Sequence, residues 1–186
     1  LLLIFSVLLT PIPALAGDLV MTIRDSAGRP VPNAVVMVRP VSGVPAGPIR
    51  FPWAYAVAQQ DIQFAPFVLV VPVGATVGFP NRDKVRHHVY SFSAGNKFEL
   101  KLFGKDESRS VVFKAVGVAA IGCNIHDQMV GFIRVVDTPW AVRTGGRRGR
   151  RPWAPVPRAR LSPLCMAGWL PPRCWRGAHA RTQAPR

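Results

Sequence analysis

Gly122-Cys123-Asn124-Ile125-His126-Asp127-Gln128-Met129-Val130-Gly131 is the stretch on which the reading of the chain turns. A thiol, an imidazole and a thioether recur there at steps of three, in the spacing C-x-x-H-x-x-M. The run lies between strand-like sequence ending near Gly122 and strand-like sequence beginning near Val130, so a compact loop can turn all three side chains toward one point. Taken singly, each has an ordinary explanation: Cys123 as a small buried hydrophobe, Met129 as core filler, His126 as a surface residue. Their joint occurrence at loop spacing points to a metal.

Outward from this loop, short strand signals recur in both directions. Phe67–Val73, Thr76–Phe79, His88–Phe92, Phe98–Leu102, Ser110–Lys114, Val118–Gly122 and Val130–Val136 are rich in β-branched and aromatic residues. Pro72-Val73-Gly74 and Asn81-Arg82-Asp83 mark strand ends. Helical periodicity is nearly absent, so the expected fold class is all-β, a sandwich of short strands. In Val130–Val136 both faces carry apolar residues, which predicts a strand covered on both sides. Nearer the start, Leu19–Arg24 and Ala34–Arg39 are β-rich runs joined by the turn-forming Asp25–Pro30, and they read as a pair of adjacent strands. Residues 40–52 read as an irregular surface loop.

A metal site in the 123–129 loop needs a ligand from elsewhere. His87 is the candidate, 36 residues upstream at the start of the run His88–Phe92, because a sandwich can bring two strand ends together. Two imidazoles and a thiolate in a plane, with a weak axial thioether, form the ligand set of a blue-copper electron-transfer site. Zinc also accepts Cys and His, but Met is not among its usual ligands. A Cys-His nucleophilic pair has no third orienting group in the sequence to specify hydrolysis.

The segments Val70-Val71-Pro72-Val73-Gly74, Phe79-Pro80-Asn81, His87-His88-Val89-Tyr90-Ser91-Phe92 and Gly-Cys-Asn-Ile-His-Asp-Gln-Met resemble the cupredoxins. The short ligand loop is similar to that of amicyanin, and the whole is similar to the bacterial plastocyanin-like group often labelled methylamine utilization protein. The resemblance covers about residues 61–140. It implies a cupredoxin-like Greek-key β-sandwich, one type 1 copper ion, and His87, Cys123, His126 and Met129 as its ligands. The family pattern His-Asn-Val sets the first ligand at His87 and puts His88 where Asn usually ties the two ligand loops together. Adjacent strand residues face opposite ways, so only one of His87 and His88 can reach the metal.

The chain's ends have a different character. Leu1–Leu9 is an apolar run too short to span a bilayer, and Ala14-Leu15-Ala16 before Gly17 resembles a cleavage site, so residues 1–16 are expected to be a secretory signal that the sequence enters part-way through. Of the three cysteines, Cys123, Cys165 and Cys174, one must stay unpaired in an export compartment unless it pairs between chains, and metal ligation gives a lone thiol a role. The formal charge of +15 is unevenly spread: residues 1–140 hold 13 Lys/Arg against 9 Asp/Glu, whereas residues 141–186 hold 11 Arg and no carboxylate. That Arg/Pro-rich tail has neither alternation nor a 3.6-residue period, and it is read either as disordered or as the product of a reading-frame error; a cationic tail docking on an acidic surface is the rival reading.

Together these expectations describe a domain over residues 17–140, exported to a bacterial periplasm, that carries single electrons between protein partners such as a cytochrome c or a dehydrogenase, without turning over a substrate. Copper storage or delivery with the same ligands is the alternative, and a metal-stabilised interaction module is a second one. Arg82, Lys84, Arg86, Lys97, Lys101 and Lys105 could steer an acidic partner or could simply be solvated. No aromatic interleaving suggests nucleic-acid binding, and no stable membrane insertion is expected once the signal is removed.

Overall fold

The structure is a computed structural model that describes residues 18–41, 43–145 and 180–183. Among these residues thirteen strands follow one another: β1 (Asp18–Met21), β2 (Val35–Met37), β3 (Ala58–Gln60), β4 (Gln63–Ala65), β5 (Val68–Pro72), β6 (Thr76–Pro80), β7 (His87–Ser91), β8 (Phe98–Phe103), β9 (Ser108–Val112), β10 (Gly117–Cys123), β11 (Val130–Val136), β12 (Ala141–Arg143) and β13 (Ala180–Gln183). There is no helix among the described residues.

One layer is a five-stranded sheet of order β5-β11-β10-β7-β8, with β5 parallel to β11 and the other pairs antiparallel. The facing layer is assembled from two antiparallel pairs, the hairpin β3-β4 and the sequence-distant β6-β9, which bridges at Ala56↔Gly78 and Gln59↔Asn81 join through β3 and β6. Period-two burial follows from this arrangement. Val77 and Phe79 of β6, Val89 of β7, and Ala119, Ile121 and Cys123 of β10 point inward, joined by Phe103, Phe113, Ile133 and Val135. Phe79, Phe103 and Phe113 have no exposed surface, and burying each contributes roughly 1.5–3 kcal/mol. Gly74, at φ 82°, ends β5 in a turn closed by Ala75 N–H donating to Pro72 O at 3.1 Å. A side chain there would meet backbone strain at that φ.

A third, smaller layer covers part of the outer face. β12 pairs with β2, and Val35 and Met37 pack with Phe51 and Trp53 over Val70, Val136 and Ala141. β5 is therefore buried along its whole length. The expected double cover of β11 holds only at its far end: Val136 is fully buried, but Val130 is 42% exposed because the small layer does not extend that far.

The expected pairing of the two N-terminal runs is not found. β1 pairs with β13, and β2 pairs with β12. The turn between them does form: Asp25 Oδ1 accepts the N–H groups of Ala27 and Arg29, and Arg24 bridges Pro30. The ladder goes one bond further, Val31 N–H to Ile23 O at 3.1 Å, and stops where the next donor, Asn33 N–H, is taken by Thr144 O at 3.0 Å. At the other end, the fold runs beyond the composition break after residue 140, since Ala141 is 4% exposed and Ala141–Arg143 is a paired strand. Residues 1–17 and 146–179, where the signal and most of the basic tail were expected, lie outside the described residues, as do Cys165 and Cys174.

Candidate metal centre

His87 opens β7 and Cys123 closes β10, and the two strands are neighbours in register Cys123↔Val89 and Gly122↔Tyr90. Their inward faces coincide, so two residues 36 positions apart meet at one end of the core. His87 has no exposed surface and Cys123, a free thiol, is 3% exposed. His88 faces the other side of the sheet, with Nε2 at 3.0 Å from Glu99 Oε1 but off the line a hydrogen bond needs.

Six residues return the chain from β10 to β11. The loop is held by Met129 N–H to His126 O at 2.8 Å, Cys123 N–H to Met129 O at 3.2 Å, and Asn124 N–H to His88 O at 3.2 Å. The last bond joins the two ligand segments through the backbone of His88, so a side-chain amide at that position is not needed for the link. The fold thereby puts His126, half-buried, beside Cys123: His126 Nδ1 lies 3.6 Å from Cys123 Sγ, and His87 Nδ1 lies 3.7 Å from it on another side. The ligand atoms of His87, Cys123 and His126 all fall within 4.8 Å of one another. Metal–nitrogen and metal–sulfur bonds of about 2.1 and 2.3 Å, at angles between tetrahedral and trigonal, set N and S about 3.6–3.8 Å apart, so the donor set fits a single ion. Its softness, one thiolate and two imidazoles, suits copper. Met129 is 1% exposed and belongs to the same core cluster as Cys123.

One residue at the centre escaped the sequence reading. Asp83 Oδ2 accepts from His87 Nε2 at 2.8 Å, and the same carboxylate accepts Asp61 N–H at 2.7 Å and Ile62 N–H at 3.1 Å. Partial burial pushes the Asp83 carboxyl up, but the bonds from His87 and the two backbone amides outweigh it and hold the group below the usual carboxylate range. Asn81, 1% exposed, shapes this turn: its side chain donates to Val85 O and Phe103 O and accepts Asp83 N–H. Asn81-Arg82-Asp83 read as a strand end in the sequence, and no spacing rule marks a turn carboxylate four residues before a histidine as its partner. Asp127, adjacent to His126, is exposed. It lines an open cleft of about 380 Å³ with Asp61, Ile62, Gln63, His126 and Gln128.

No family model and no curated protein matches the sequence. Among solved structures, the chain is similar to a purple cupredoxin from Nitrosopumilus maritimus, at 25% identity over 44% of this chain and 98% of that one, with a TM-score of 0.40. It is also similar to an oxidised amicyanin variant, at 27% identity over 45% of this chain and 82% of that one, TM-score 0.41. A copper-containing nitrite reductase from Thermus scotoductus is 30% identical over 53% of this chain, TM-score 0.43, and the match spans only 25% of the reductase. Two facing β-layers, inward His87 and Cys123 at adjoining strand ends, and a short loop that returns His126 to the same point make this domain a cupredoxin-like β-sandwich.

Proposed function

We propose that the domain is a blue-copper protein that carries single electrons between protein partners in an exported, periplasmic setting, in which His87, Cys123 and His126 would hold the ion strongly and Met129 weakly. The observation that carries this reading is the buried Cys123 Sγ with an imidazole Nδ1 at 3.7 Å and another at 3.6 Å. Copper bound there would supply a one-electron couple. The chain's own part is to hold the donors still: His87 and Cys123 sit on paired strands, and the 124–129 loop is closed by its own backbone bonds, so little rearrangement is available to the ligands. Arg82, Lys84 and Arg86, which precede His87, and Lys101 and Lys105, which flank its register partner Phe103, are exposed, whereas Lys97 lies at the other end of β8; the cluster near His87 favours a partner with an acidic face.

Copper storage or delivery is the second reading, favoured by the open cleft beside His126. Adding Cu(II) to the purified full chain and recording the visible spectrum tests the first. An intense thiolate-to-copper band is expected, and it should vanish in Cys123→Ser. A colourless copper complex in the unaltered protein would overturn the electron-carrier reading, and rapid loss of copper to a chelator would favour delivery.

A further inference from the structure

His87 is fully buried, and a buried imidazole can serve a metal through Nδ1 only if that nitrogen is unprotonated and held in one direction. One neighbouring carboxylate can impose both conditions. Asp83 Oδ2 lies 2.8 Å from His87 Nε2, so the ring proton sits on Nε2 and the Nδ1 lone pair is left facing Cys123 Sγ. The carboxylate is itself held. It receives the N–H groups of Asp61 and Ile62, the two turn residues between β3 and β4, which stand at φ 56° and 53°. Such angles suit a two-residue hairpin turn, but a β-branched isoleucine rarely adopts them. Two amides converging on one anion stabilise the turn. The Asp83 side chain is 12% exposed, so water competes weakly for these bonds.

From this geometry we propose that Asp83 is the positioning residue of the metal centre: its carboxylate fixes the tautomer and the plane of His87 and anchors that ring to the Asp61–Ile62 turn of the facing layer. The inference rests on His87 being a ligand. It makes the β3–β4 hairpin, 21 to 22 residues from Asp83 in sequence, part of what holds the site. Asp83→Ala removes both acceptor oxygens and with them all three bonds. Asp83→Asn keeps the volume but sets an amide N–H₂ against donors that need an acceptor, so it separates the loss of acceptors from the loss of packing.

The test uses the full chain. Nitrogen-15 spectra of the histidine rings in the metal-free protein should show His87 protonated at Nε2, and both variants should show a mixed or reversed tautomer. Copper affinity, measured by competition with a chelator, should fall about 10- to 100-fold in both. A wild-type His87 protonated at Nδ1 in the metal-free protein overturns the proposal even if neither variant folds. So does an unchanged tautomer in the variants, or an affinity within about two-fold of wild type. The electron-carrier reading fails separately, on the absence of the visible copper band in wild type, since the ring tautomer is read without metal.

Discussion

Replacing Gly122 by alanine should destabilise the domain, and the reason lies across the sheet. Gly122 pairs with Tyr90, and a Cβ built on Gly122 would stand 2.9 Å from both Cζ and Oη of the Tyr90 ring, well inside ordinary van der Waals contact. The ring must move by roughly half an ångström or more to restore a normal separation. Two rings flank it along the strand, of which Phe92 is itself 77% exposed. The Phe92 ring centroid is 4.9 Å away on one side and that of His88 is 6.2 Å away on the other. Overpacking of this kind costs about 1–3 kcal/mol. Against it stands a gain of about 0.5–1 kcal/mol, because alanine loses less backbone freedom than glycine in a strand. The net expectation is a loss of up to about 2.5 kcal/mol, as the difference of those two terms. Removing the ring removes only the unfavourable one. In a Tyr90→Ala background the same Gly122→Ala change should therefore stabilise, giving a double-mutant coupling of at least about 1 kcal/mol. Equilibrium urea unfolding of the four metal-free proteins measures it. Equal destabilisation by Gly122→Ala with and without the tyrosine ring would refute the steric argument and place the effect in the backbone.

Two further outcomes test other parts of the structure. Trp53→Phe keeps an aromatic ring over Phe51, whose centroid is 4.7 Å away, but loses the bond from Nε1 to Val70 O at 2.8 Å; a loss of about 1–3 kcal/mol is expected in chemical unfolding, because a carbonyl on a buried strand is left unpaired. The Asp25 carboxyl is held below its ordinary value, first by the Arg29 backbone N–H and then by the Arg29 side chain. Its support of the 25–29 turn should be fully present above the ordinary carboxylate value and lost as pH falls through the depressed one. An NMR titration of Asp25 alongside the Ala27 and Arg29 amides should show all three changing together in that acid range, and an Asp25 midpoint at or above the ordinary value would contradict the bonds drawn there.

What could be read from the chain alone was local. Seven strand signals between residues 67 and 136 correspond to β5 through β11, because β-branched residues and turn formers act over a few neighbours. The C-x-x-H-x-x-M spacing was legible for the same reason, since a six-residue loop leaves its ends close together whatever surrounds it. Pairing was not legible in this way. Leu19–Arg24 and Ala34–Arg39 lie beside each other in sequence, yet β2 found its partner in Ala141–Arg143, where composition had suggested the fold was over. The β3–β4 hairpin carries Gln, Asp and Gln rather than a Gly-containing turn, so it gave little signal.

The site divides along the same line. Alternation along a strand says that His87 and His88 face opposite sides, but which side is the interior depends on what lies across it. That became definite only when Val89 paired with Cys123 and the facing layer brought Val77 and Phe79 against the same core. Asp83 is the extreme case: its partners His87, Asp61 and Ile62 come from two strand-end segments in different layers. The sequence by itself determined which donors were available and that three of them would share a loop. Tertiary structure alone decided which histidine meets the thiol and which carboxylate aims it, because hydrogen bonds between distant segments depend on register and layer packing, which no short window of residues encodes.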